Sequence, residues 1–183
     1  MIRILPNILT IFRMIAAPIM IYLYLDGSQG KMIAGFVFFI LGSLSDSLDG
    51  YIARKYEVAS RFGRILDPIA DKFLVFCAMA VLVIIGEVLW WIAVAIALRD
   101  VLVTLLRLLN RKQDNLISPT IFAKFKTSYQ MFAITALLFV PIVTDIPGNK
   151  ISSIPNLVML LALVFTWVSA IPYFRNSLFP KKQ

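Results

Sequence analysis

Four aspartates within one short segment carry most of the reactive potential of this 183-residue chain. Residues 46–71 read DSLDGYIARKYEVASRFGRILDPIAD. Asp46 and Asp49 are spaced i, i+3, and Gly50, Ala53 and Arg54 continue the same helical face. Gly63, Asp67 and Asp71 are spaced i, i+4, i+8 and share a face at the start of the next helix. Two adjacent antiparallel helices would present these acids to each other as two pairs. Four carboxylates at one depth repel unless cations neutralise them. Two divalent metal ions about 4 Å apart do so, and can bridge the attacking and leaving oxygens of a phosphoryl transfer. Gly50, Ala53 and Gly63 leave room for a neighbouring helix or a ligand. Ordinary interfacial charges would explain a lone DxxD, but they explain the whole set poorly. A Ca²⁺ loop is disfavoured, because the acids follow helical spacing and not the alternation of a binding loop.

The rest of the inventory narrows the chemistry. There is no histidine, so proton transfer falls to carboxylate, lysine, tyrosine or water. A metal site must be rich in oxygen, which suits Mg²⁺ or Mn²⁺ and disfavours zinc. Cys77 is the single cysteine; it excludes an intrachain disulfide and reads as a small core residue. A second, basic set comprises Arg99, Arg107, Lys124 and Lys126. Arg99 and Arg107 are i, i+8 and lie near one helix face, while Thr127 and Gln130 follow the lysines. Convergent cations at a bilayer edge suit a phosphate-bearing substrate. Topology-marking charges on lipid headgroups would account for Arg111 and Lys112, but poorly for Arg99, which lies within an apolar run.

The elements that must position these residues follow from hydropathy. The chain is 60% hydrophobic with a mean hydropathy of +0.86, which is too apolar for a soluble domain of this size. Apolar runs near membrane-spanning length recur at about 8–24, 32–52, 65–85, 88–108, 121–143 and 154–173. Helices are expected throughout, because a bilayer cannot hydrate unpaired backbone. The fold expected is an all-α integral membrane protein of six transmembrane helices, a single domain over residues 1–183, with no cleaved signal peptide. Turn signals mark the breaks at Asp26-Gly27-Ser28, Gly86-Glu87, residues 110–114 and Pro147-Gly148-Asn149.

The net charge is +8. With this apolar content it points to lipid and not to nucleic acid. Of the 18 Lys and Arg residues, Lys31 and Lys150 fall in loops on one side and all the others on the opposite side. The positive-inside rule then places both termini and the two long basic loops in the cytoplasm. Counted as helix, Met32 to Ser45 covers only about 21 Å. Asp46 and Asp49 therefore lie within the slab near its cytoplasmic face, where charges line a cavity or a site. The metal site is thus expected on the cytoplasmic side, between spans 2 and 3.

At this point the residues carry a resemblance. Asp46-x2-Asp49-Gly50-x2-Ala53-Arg54-x8-Gly63-x3-Asp67-x3-Asp71 is similar, at every position, to the signature of the CDP-alcohol phosphotransferase family, and the six spans are similar too. The resemblance implies transfer from a CDP-linked lipid to an alcohol with release of CMP. It implies two divalent cations, Mg²⁺ or Mn²⁺, on the pyrophosphate. Asp46, Asp49 and Asp67 would be metal ligands, and Asp71 both ligand and general base. Gly50, Arg54 and Ser60 would contact the CDP moiety beside Gly63. The opening Pro6-Asn7-x2-Thr10-x2-Arg13 resembles a family start near the cytidine, which places Asn7 and Thr10 at that site. Read structurally, it is a helix start with a snorkelling or ion-paired Arg13.

The acceptor is read from a second likeness. Ala123-Lys124-Phe125-Lys126-Thr127 resembles the Gly-Lys-x-Lys-Thr stretch of the phosphatidylglycerophosphate synthase branch, with Arg99 and Arg107 as companions. Two residues depart from that branch: Ala123 stands where Gly is usual and Asp100 where Glu is usual. The likeness implies CDP-diacylglycerol and glycerol 3-phosphate as substrates, with Arg99, Arg107, Lys124 and Lys126 on the acceptor phosphate. It also implies a homodimer in a bacterial cell membrane. An Arg-Asp pair occurs in sister enzymes as well, so cardiolipin synthase and phosphatidylinositol phosphate synthase remain alternatives. An ion transporter with buried acids is the alternative from another class. It does not explain the Gly–Ala–Arg spacing.

Overall fold

The computed structural model describes the backbone of residues 5–56, 63–109, 121–144 and 153–171. Side chains at 5, 6, 47, 49–56, 63–68, 106–109 and 121–124 fall outside the description. Six helices follow in order: α1 Leu5–Leu25, α2 Gln29–Tyr56, α3 Gly63–Ile84, α4 Trp90–Leu109, α5 Ile121–Thr144 and α6 Ser153–Val168. Among the described residues there is no strand. Each helix coincides with one apolar run of the sequence. The last is shorter than hydropathy suggests: α6 ends at Val168, a few residues ahead of Pro172, which has no N–H to continue a helix.

The described turns are built by glycine where the chain must enter the left-handed region. Gly27 (φ 77°) follows the end of α1. Beside it, hydrogen bonds from Lys31 (2.8 Å) and Ser28 (3.0 Å) hold the Asp26 carboxyl below its usual range. Gly86 (φ 82°) closes α3. Its N–H donates to Val83 O and that of Glu87 to Leu82 O, the paired bonds of a Schellman cap. Burial raises the neighbouring Glu87 carboxyl above its ordinary value. Asn156 on α6 then accepts from the Leu89 N–H at 2.9 Å, which satisfies a donor at the mouth of α4.

Helix α1 packs mainly on α2 and α3, and α6 on α4 and α5. Two glycines on α2 set the close approach. A Cβ at Gly35 would stand 3.0 Å from Met20 O on α1, and one at Gly42 would stand 3.0 Å from Leu74 Cδ2 on α3. Small Ala16 and Ala17 are buried on α1, as expected where helices meet without a hydrophobic drive between them. Tyr24 donates to Leu138 O at 2.5 Å, and Gln29 to Ile142 O at 3.2 Å, tying the α1–α2 turn to the end of α5.

The outward faces are apolar: Ile8, Ile15, Val94, Leu98, Phe132 and Leu157 are all half-exposed or more. Several charged and polar side chains instead lie inside. In water such a surface would be a contiguous sticky patch; in lipid it is the solvated face. By length and composition, residues 7–25 of α1 and 125–144 of α5 are long and apolar enough to cross a membrane, and α6 is a shorter apolar helix. The other three helices each carry charges of the candidate site.

Candidate active site

The N-terminal half of α1 presents Asn7, Thr10 and Arg13 at three-residue spacing, one polar stripe on an otherwise apolar helix. Asn7 is partly exposed, while Thr10 and Arg13 are fully buried. Arg13 Nη1 donates to Asp46 Oδ1 at 2.7 Å, from α1 to α2. The ion-paired reading of Arg13 is therefore the one the structure gives. Gly42 lies beside the Arg13 stem, whose Cγ is 3.8 Å from where a Cβ would stand, an ordinary packing distance. An arginine at this depth is costly unless paired. The Asp46 side chain keeps 46% exposure, so the pair reaches from the helix interface to an open face.

The second half of the site lies where α3, α4, α5 and α6 meet. Asp100 on α4 is 2% exposed. Its Oδ1 accepts from Arg99 Nη1 at 2.9 Å and from Lys126 Nζ at 2.6 Å. Arg99 Nη2 donates to Ser169 Oγ at 2.7 Å, and Ser169 in turn donates to Thr166 O. Lys72 on α3 stands between two carboxylates, with Nζ 3.6 Å from Asp100 Oδ2 and 3.7 Å from Asp71 Oδ2. Charged groups are desolvated here, so their mutual geometry matters more than on a surface.

The structure thus brings together Arg99 and Lys126, 27 positions apart in sequence, around a carboxylate. It joins this pair through Lys72 to Asp71. The side chains of Asp49, Arg54, Asp67, Arg107 and Lys124 lie outside the described residues, as do the surroundings of Gly50, Ser60 and Gly63. Among the described residues no three acidic, cysteine or histidine side chains form a metal-sized group. Asp46 and Asp71, both described, sit on neighbouring helices and keep part of their surface open.

The sequence profile of the CDP-alcohol phosphatidyltransferases matches residues 3–168. The chain belongs to that family. Relatives named CDP-diacylglycerol–glycerol-3-phosphate 3-phosphatidyltransferase align over most of its length. The protein from Rickettsia bellii is 37% identical over 91% of this chain and 87% of its own. That from Bacillus subtilis is 33% identical over 94% of each. That from Wigglesworthia glossinidia brevipalpis is 34% identical over 93% of this chain and 97% of its own.

For a CDP-alcohol phosphatidyltransferase, three residues here were not foreseen as site residues. Lys72 reads in sequence only as one more cytoplasmic charge. Asp100 reads as a departure from one branch of the family, and Ser169 as an unremarked part of the last span. The available signal was charge neutrality: Arg99 within an apolar span demands an acceptor, and Asp100 is its immediate neighbour.

Proposed function

We propose that the chain transfers the phosphatidyl group of CDP-diacylglycerol to glycerol 3-phosphate, giving phosphatidylglycerol phosphate and CMP. The observation that carries the reading is the alignment, over most of the chain, with relatives named for that activity. The paired cations Arg99 and Lys126 in the bundle support a phosphate-bearing acceptor. The acceptor hydroxyl attacks the phosphorus that bears the diacylglycerol. A new P–O bond forms, the pyrophosphate P–O bond to CMP breaks, and the hydroxyl proton passes to Asp71. Arg99 and Lys126, with Arg107 and Lys124, hold the acceptor phosphate. Asn7, Thr10, Gly50, Arg54, Ser60 and Gly63 line the CDP end.

Enzymes of this family depend on divalent cations. The residues present fit such an ion: the donors are all carboxylate oxygens, and the described ones, Asp46 and Asp71, are partly open. Asp46, Asp49, Asp67 and Asp71 would hold two Mg²⁺ or Mn²⁺ ions. When bound, these would screen the pyrophosphate charge and stabilise the CMP leaving group. Arg13 steadies Asp46 from behind, and Lys72 stands beside Asp71.

The reading includes six spans in one domain over residues 1–183, in a bacterial cell membrane, as a homodimer with both termini and the site in the cytoplasm. Charge asymmetry between loops supports the orientation. In a Cys77→Ala background, cysteines near residues 28 and 148 should react with an impermeant thiol reagent from outside, and one near residue 112 should not. The reverse pattern would overturn the orientation.

The deciding assay is CMP release with a panel of alcohols. Glycerol 3-phosphate should support turnover, and phosphatidylglycerol and inositol phosphate should not. Lys126→Ala should raise the KM for glycerol 3-phosphate roughly tenfold, the worth of one charge-assisted hydrogen bond. The KM for CDP-diacylglycerol should barely change. Turnover with phosphatidylglycerol or inositol phosphate alone would keep the family and replace the acceptor. Cation flux without CMP release would favour a transporter.

A further inference from the structure

Asp100 has a geometry that burial alone does not require. A structural counter-ion for Arg99 would be satisfied by one pairing. Here one oxygen, Oδ1, accepts from both Arg99 and Lys126. The other, Oδ2, is buried without a hydrogen bond and faces Lys72 Nζ at 3.6 Å. One carboxylate therefore gathers three cations from α3, α4 and α5. The third of these, Lys72, is shared with Asp71 at 3.7 Å. Lys126 and Arg99 are each about 5% exposed, so water does little to offset their charge. The array holds more positive than negative charge in a low-dielectric setting, which favours an arriving anion of high charge density.

We propose that Asp100 is a positioning residue for the acceptor: its carboxylate holds Arg99, Lys126 and Lys72 as one array that takes a phosphomonoester dianion, at a fixed distance from Asp71. The proposal rests on the reading above that the acceptor carries a phosphomonoester. Lysine and arginine side chains lose much rotamer freedom when fixed. Asp100 removes that freedom before the substrate arrives, so binding does not have to. The phosphate then meets the remaining N–H donors of both cations, while Oδ1 keeps their separation. Because Lys72 touches both carboxylates, the anchored phosphate and the proton acceptor are held in one frame. A phosphodiester monoanion offers less charge to the same array, so Asp100 also contributes to selecting the acceptor class.

The test uses the full-length protein in lipid nanodiscs, with CMP release as the readout and the two substrates varied separately. Asp100→Asn should raise the KM for glycerol 3-phosphate about tenfold or more and leave the KM for CDP-diacylglycerol nearly unchanged. Asp100→Glu should restore much of the loss, because it returns the charged acceptor. A purely structural role would move both KM values or the yield of folded protein together. If Asp100→Asn does not fold, Lys126→Met/Asp100→Asn removes a cation with the carboxylate. Its KM for glycerol 3-phosphate should exceed that of Lys126→Met alone, because Arg99 is no longer held; equal values would overturn the proposal. So would an Asp100→Asn enzyme that binds glycerol 3-phosphate as tightly as the parent, since Asp100 would then be only a competing charge. If the parent enzyme releases no CMP with glycerol 3-phosphate, the acceptor reading fails and this proposal with it. Normal parent turnover with an unmoved KM in Asp100→Asn overturns this proposal alone.

Discussion

Asp71→Asn should lower kcat by roughly two to four orders of magnitude, the range expected when a general base is lost. The substitution keeps the size of the side chain and one oxygen, so the local packing of α3 should survive. What it removes is the group proposed to take the proton of the acceptor hydroxyl. The position of Asp71 suits that role. Its side chain is one-third exposed, which leaves an approach for the hydroxyl. Lys72 lies beside it and also touches Asp100, so Asp71 adjoins the array that is to hold the acceptor phosphate. CDP-lipid affinity should fall far less than kcat, because the other acids and the CDP contacts remain. The measurement is single-turnover kcat at saturating glycerol 3-phosphate, with CDP-diacylglycerol affinity determined separately. If Asp71→Asn loses CDP-lipid binding and keeps its kcat at saturation, Asp71 is a ligand and not a base.

Why spacing singles out Asp71 as a candidate and passes over Asp100 comes down to what a single helix can reveal. Long apolar runs mark the helices, because an apolar segment kept from water must satisfy its own backbone. Hence all six helices fall where hydropathy puts them. Spacing also assigns residues to one face of one helix, which is how Asp46 pairs with Asp49 and Asp67 with Asp71 on paper. Contacts between helices depend on rotation and depth, and spacing says nothing of these. Lys126 reaches Asp100 across 26 positions, and Arg13 reaches Asp46 across 33. Arg13 can be read from sequence as snorkelling or as paired; its Asp46 partner stands on α2, and only the packing of α1 on α2 brings the two together. The cations Arg99 and Lys126 were legible as a convergent pair. That a carboxylate gathers them was not, since Asp100 reads in sequence only as a departure from one branch of the family.

Asp46→Asn should abolish turnover, and the pair with Arg13 makes the experiment more informative than a simple loss. Asparagine keeps one neutral oxygen but removes the charge that a divalent cation needs from its ligand. It also removes the carboxylate that Arg13 donates to at 2.7 Å, and Arg13 is fully buried. Removing one partner of a fully buried ion pair costs about 3–5 kcal/mol. Here the loss should be smaller, because the Asp46 side chain is nearly half exposed. Lost activity could then arise from a missing metal ligand or from a loosened α1–α2 interface. Arg13→Met/Asp46→Asn separates the two. It deletes the buried charge together with its partner, a change that is often neutral for stability. The double variant should regain the thermal stability of the parent in detergent, yet bind Mn²⁺ weakly and release no CMP. Arg13→Met alone should keep measurable Mn²⁺ binding, because Asp46 retains its charge. EDTA should stop the parent enzyme, and Mg²⁺ or Mn²⁺ should restore it. Near-normal CMP release by folded Asp46→Asn would remove Asp46 from the metal site. Recovery of activity in the double variant would make the interface, and not the metal, the reason for the loss.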